Sequence, residues 1–249
     1  MTQATGDSVR VPLESVREEA LALMAAAAQR GVLLRALGGA AVAIRCPSSA
    51  QPPLARIYKD VDVVGTDRQN REIQSFMRSM GYRGDDQFNA LQGSERLLFW
   101  DDTHGRQLDV FLDKIKMCHE LRLRDRLTVD DITLAPVDLL LTKLQVVQTN
   151  ERDLKDSAAL ILDCEIDADR LAKMLGSDWG WWRTATEVLA KVDAYVAAQT
   201  DFARRDEGRA NIARLRQSID AQPKSIGWKA RARIGDRIRW YELPEEDYQ

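Results

Sequence analysis

The fold turns on Lys59-Asp60-Val61-Asp62-Val63-Val64-Gly65. Acid and valine alternate here, which predicts a strand over residues 59–65. Residues two apart in a strand share a face, so Asp60 and Asp62 project together. Val61 and Val63 point the other way, into a core. Just upstream, three prolines and two serines within residues 46–54 mark a loop.

Further upstream, residues 32–37 form a short apolar strand that ends in Gly38-Gly39, and residues 40–45 suit a short helix. Glycines between a strand and a helix let backbone N–H groups approach a phosphate, and the helix N-terminus adds favourable charge. Downstream, residues 95–100 and 107–112 predict a hairpin about Asp101-Asp102-Thr103-His104-Gly105. Asp109 interrupts its apolar second strand. If these strands are neighbours, Asp60, Asp62 and Asp109 converge, and three like charges repel unless a cation sits among them. Their hard oxygens suit magnesium or manganese. A phosphate cradle beside such a metal site makes a site for a nucleoside triphosphate, ATP included. Two plainer readings stand beside it. Asp60 and Asp62 could lie on a solvated face paired with Lys59 and Arg56, and Asp113 could take the place of Asp109.

Gly-Gly, a hydrophobic-flanked Asp-x-Asp and a later third carboxylate, in this order, resemble the DNA polymerase β-type nucleotidyltransferase superfamily. Within it the chain looks most like the AbiEii-type toxins. Their lysine in an apolar helix is matched by Asp138-Leu139-Leu140-Leu141-Thr142-Lys143-Leu144, and their Arg-Asp-x-x-Asp-like segment by Arg152-Asp153-Leu154-Lys155-Asp156. The resemblance covers roughly residues 30–165. It implies catalytic, metal-holding Asp60, Asp62 and Asp109, and nucleotide-binding Gly38, Gly39, Lys143 and Asp156. The implied reaction moves a nucleoside monophosphate from a nucleoside triphosphate to an acceptor and releases pyrophosphate. The acceptor class stays open among a small molecule, a tRNA end and a protein side chain, and a cognate antitoxin-like partner is implied. From the residues alone, Lys143 could equally snorkel from an amphipathic helix. Ala40, where many members carry serine or threonine, and the long 46–54 loop favour an alternative: a catalytically silent nucleotide- or partner-binding module.

The 249 residues are 45% hydrophobic and 30% charged, with a net charge of -3. That is ordinary globular composition and excludes a polycation drawn globally to nucleic acid. Cys46, Cys118 and Cys164 are odd in number and widely spaced, which argues against a disulfide framework or a structural zinc site. Residues 1–10 are polar, and the apolar run at 20–28 is too short to span a membrane, so the expected location is the cytoplasm.

Helices dominate after residue 130: one opened by Pro136, then 151–162, 168–175, 179–198 and 205–221. The expected class is therefore α/β (α+β). A nucleotidyltransferase domain at 1–128 carries a mixed sheet with helices, and a helical domain follows at 129–249, with the triphosphate between them. Trp179, Trp181 and Trp182 are expected to pack the helical half. Near the C-terminus, Trp228, Ala230, Ala232 and Ile234 alternate with Lys229, Arg231 and Arg233, which predicts a basic hairpin at 228–241 with Gly235-Asp236-Arg237 as its loop. Arg233 would then face Arg239, relieved by acids at 242–247 or by a bound polyanion such as RNA.

Overall fold

Val61–Gly65 forms the strand the alternation predicts, at the heart of a five-stranded sheet. The computed structural model describes residues 10–243. The polar start at residues 1–9 and the acidic tail beyond residue 243 lie outside them. The chain divides into two compact units, one of residues 1–40, 58–114 and 123–133, the other of 41–57, 115–122 and 134–249. The units are thus interleaved along the chain, where a single boundary at 128/129 was the expectation.

The first unit begins with α1 (Val16–Gln29), capped by the Ser15 hydroxyl, which accepts from the Glu18 N–H. β1 (Leu34–Leu37) runs into α2 (Gly38–Arg45), and the unit ends within this helix at Ala40. There follow β2 (Val61–Gly65), α3 (Asn70–Ser79), β3 (Arg83–Gly84), α4 (Asp86–Gln92), β4 (Arg96–Asp101) and β5 (Arg106–Leu112). The sheet order is β1-β2-β5-β4-β3. β2 and β5 are parallel and the other pairs antiparallel, so the sheet is mixed. The hairpin of β4 and β5 forms as expected. Ahead of α3, residues Asp67–Gln69 make a short 3-10 turn, and Gln69 holds the cap position without a side-chain bond.

Alternation along the strands sets the two sheet faces. Val61, Val63, Leu108, Val110, Leu97 and Phe99 share one face and are fully buried. Each such side chain contributes about 1.5–3 kcal/mol on burial. The same period puts Asp62 and Asp109 together on the other face.

The second unit is helical apart from a two-stranded ribbon of β6 (Lys114–Lys116) and β7 (Glu120–Arg122). Its helices are α5 (Pro136–Leu144), α6 (Glu151–Asp163), α7 (Ala168–Ser177), α8 (Trp179–Ala198), α9 (Arg205–Ala221) and α10 (Ile226–Ile234). Asn150 and Asp153 form a capping box at α6, and Asp167 and Asp178 cap α7 and α8. The tryptophans of α8 pack as expected. Trp181 stacks on His119 at 4.9 Å, and the His119 Nε2 lies 2.9 Å from the Thr184 hydroxyl.

Burial pushes the His119 pKa down to about 4, against the opposing pull of Asp178 and Glu242. An exposed histidine titrates near 6.5. His119 therefore contributes stability that is present above pH ~6.5 and is lost as pH falls toward 4. The melting temperature should drop over that window, less steeply in His119→Gln. Imidazole resonances of the folded protein should place the titration near 4.

The C-terminal hairpin is not formed. Residues 226–234 are the helix α10, opened by Ser225, whose hydroxyl accepts from the Trp228 N–H at 3.0 Å. Alanine, lysine and arginine favour helix over strand. Gly235, at φ 58°, ends the helix, and residues 235–237 make a 3-10 turn where the hairpin loop was expected. The Arg231 guanidinium lies 4.7 Å from the Trp179 ring centroid and donates to the Gly235 and Ile238 carbonyls.

Candidate active site

Leu37 is the last residue of β1 and pairs with Asp62 of β2. The chain must turn at once into α2, and Gly38 makes the turn at φ +60°. A Cβ at Gly38 would lie 2.2 Å from the Asp62 Oδ2. No other residue lets the start of α2 come this close to the carboxylate. Gly39 follows in the first turn of α2, where backbone N–H groups have no partner within the helix. The glycine pair therefore sets a helix N-terminus against an acidic strand end.

Asp62 and Asp109 are direct partners across the parallel β2–β5 pair. Parallel partners point to the same face, with strands ~4.8 Å apart. Asp60 lies just before β2 and is exposed. Asp109 is buried, and both of its oxygens accept hydrogen bonds: Oδ1 from the Arg96 Nε at 2.8 Å, Oδ2 from the Gln107 Nε2 at 2.9 Å. The Arg96 guanidinium also lies 5.5 Å from the ring centroids of Phe88 and of Phe111. Asp113, the other candidate for the third carboxylate, follows β5 at φ 61° and is held by Arg124. That bond keeps its carboxyl below the usual range, against burial.

A cation fits this face in part. Asp62 stands in register with Asp109, and Asp60 lies exposed just ahead of β2, outside the paired residues. Among the described residues, however, no group of three or more His, Cys, Asp or Glu side chains is arranged to hold a metal. The geometry gives the reason: the Asp109 oxygens are turned to Arg96 and Gln107.

The helical unit holds its own charged cluster. Asp156 on α6 takes both prongs of Arg56, Nε to Oδ1 and Nη2 to Oδ2, each at 2.7 Å. Its Oδ2 also meets the Lys143 Nζ at 2.8 Å, and Asp153 lies 3.5 Å from that ammonium. Lys143 points inward and does not snorkel; its side chain is 14% exposed, and that of Asp156 1%. Burial opposes the charge on Asp156, but Arg56 and Lys143 outweigh it and hold the carboxyl below the usual range. Burial likewise opposes the Lys143 charge, and Asp156 and Asp153 outweigh it, so the ammonium is held above its usual value.

Gly38 is brought to Asp62 and Asp62 stands in register with Asp109, while Lys143 meets Asp156, where the expectation gave each of them to the nucleotide. Arg96 and Arg56 enter as partners that sequence reasoning did not assign. A lone arginine ahead of the apolar run Leu97-Leu98-Phe99 was the one available signal for the first. Nothing local signals the second.

No family model and no curated protein matches the chain. Among solved structures it is similar to the antibiotic-resistance factor ANT(2'')-Ia, with 12% identity, 71% of this chain and 90% of that one covered, and a TM-score of 0.37. It is also similar to an antigenic nucleotidyltransferase-like protein from Paracoccidioides brasiliensis. There the identity is 14%, the coverage 87% and 97%, and the TM-score 0.40. Both scores lie below 0.5, so the mixed α/β fold rests on the chain's own strand order and register. Among the described residues no helix is long and apolar enough to cross a membrane.

Proposed function

We propose that this chain is a metal-dependent nucleotidyltransferase that moves a nucleoside monophosphate from a triphosphate to an acceptor hydroxyl. One observation carries the reading. The Gly38 turn packs the N-terminus of α2 against Asp62, which stands in register with Asp109 on one sheet face. An N-terminus attracts phosphate, and paired carboxylates beside it attract the cation that accompanies phosphate. Magnesium, when bound, neutralises phosphate charge and stabilises the leaving oxygen. Asp60 and Asp62 would hold it, joined by Asp109 on release from Arg96. The Gly38 and Gly39 amides would orient the phosphates. Asp109 would accept the proton of the acceptor hydroxyl as its oxygen attacks phosphorus.

Calorimetry with magnesium and a nonhydrolysable triphosphate tests the binding half. Heat should appear only with both present, and Asp62→Asn should weaken it by roughly 10–100-fold. No heat in the wild-type protein would end the proposal. A second reading follows from the Arg96–Asp109 pair: a binding module with catalysis lost. Pyrophosphate release with a hydrolysable triphosphate and an acceptor panel separates the two.

A further inference from the structure

We propose that Cys46 and Cys164 form a reversible disulfide that staples the end of α2 to the end of α6. Their sulfurs lie 3.9 Å apart, although 118 positions separate the residues. A disulfide needs about 2.05 Å, which side-chain rotation can supply when the backbones stay in place. They are held in place. The Ser48 N–H and hydroxyl donate to the two oxygens of Asp163 at 2.7 and 2.8 Å. Arg204 donates to the Ser48 hydroxyl at 2.9 Å and to Asp163. This clamp sits two residues after one cysteine and one residue before the other. Both cysteines lie just past a helix end in extended backbone, at φ -113° and -120°, so neither side chain is confined by a helical turn.

The two thiols differ as an attacking and a resolving cysteine should. Cys46 is fully buried, and Cys164 is partly exposed. The hydrogen bond from Cys46 favours the Cys164 thiolate, burial opposes it, and Arg45 adds to it; the net effect lowers the Cys164 pKa. The same pairing, with burial, keeps the Cys46 proton in place. A peroxide is the oxidant class that fits. The Cys164 thiolate attacks one peroxide oxygen, the O–O bond breaks, and the departing hydroxide takes a proton to become water. The Cys46 sulfur then attacks the resulting sulfenic acid. An S–S bond forms, the S–O bond breaks, and the Cys46 proton leaves with hydroxide as the second water. Two thiols lose two electrons, and the peroxide becomes two waters. A dithiol reductant reverses the bond by exchange.

The test uses the full-length reduced protein and stoichiometric hydrogen peroxide. The intact mass should fall by about 2 Da. A nonreducing peptide map should join the Cys46 and Cys164 peptides and leave Cys118 a thiol. The melting temperature should rise by roughly 5–15 °C, reversibly, because the bond closes a long loop. Cys118→Ser should behave as wild type, and Cys164→Ser should abolish the mass loss. Cys46→Ala should leave a sulfenic acid that a dimedone probe traps on Cys164. The wild-type map decides the matter even if a variant folds poorly. Free thiols after treatment, a bridge to Cys118, or an oxidised Cys164 beside a free Cys46 would each overturn the proposal.

Discussion

Asp156→Ala should destabilise the protein by about 3–5 kcal/mol, the cost of taking from Arg56 and Lys143 the buried carboxylate that both close on. Arg56 and Lys143 both close on this carboxylate, and their side chains are only 15% and 14% exposed. At ~2–4 °C per kcal/mol for a chain of this size, the melting temperature should fall by roughly 6–20 °C. Urea titration should show a lower midpoint at an unchanged slope. Asp156→Asn keeps the shape without the charge and should recover little. The pH dependence follows from the lowered carboxyl pKa. The stabilisation is present above the ordinary carboxylate value of ~3.9 and is lost as pH falls through the folded value. The acid limb of the wild-type curve should therefore be steeper than that of Asp156→Ala. An unchanged midpoint would show that water, and not Asp156, solvates the two cations.

Gly38→Ala should combine two penalties. The φ of +60° costs an alanine about 1–2 kcal/mol. The new methyl would also meet Asp62 at its Oδ2, Cγ and Cβ, at 2.2, 3.0 and 3.2 Å. Because the Cβ is among the crowded atoms, swinging the carboxylate aside does not relieve the contact, and overpacking adds about 1–3 kcal/mol. The total is about 2–5 kcal/mol, read as a shifted denaturation midpoint. Asp62→Ala made in the Gly38→Ala background should restore most of the steric part, since it removes the two closest atoms and leaves only the Cβ contact at 3.2 Å. Triphosphate binding should stay lost in the double variant, because the carboxylate itself is gone. A double-mutant cycle reports the coupling directly, and additive effects would refute the close approach.

Period and punctuation made much of this fold legible. Val61 and Val63 alternating with Asp60 and Asp62 gave away β2. Pro136 and the apolar spacing behind it gave away α5. The Gly38–Asp62 approach and the Asp62–Asp109 register were readable only on the condition that the strands are neighbours, which the strand order of the sheet supplies. The partners of Asp109 and Asp156 were not. Arg96 shares the expected hairpin with Asp109 and needed its register to be assigned, while Arg56 is 100 residues from Asp156, a distance at which sequence carries no pairing signal. Cys46 and Cys164 escaped notice for the same reason. The segment 226–234 misled because Ala230 and Ala232 fit both periods. Alternation with Lys229, Arg231 and Arg233 suggested a strand, while the Ser225 cap and the alanines decided for helix.

The interleaving of the two units governs the order in which the chain can fold as it is made. Residues 41–57 belong to the helical unit yet leave the ribosome long before the rest of it. Arg56 waits for Asp156, and Ser48 for Asp163, 115 positions later. Until α6 is synthesised, this segment lacks the Asp156 carboxylate that pairs with Arg56 and the Cys164 thiol that faces Cys46. The sheet of the first unit can close early, since its strands are all complete by residue 112. The helical unit cannot, because its first piece is delivered between β1 and β2 and its last piece after the sheet is complete. A cut at residue 128 would separate Arg56 from Asp156 and Cys46 from Cys164. Neither half of this chain is a self-contained message.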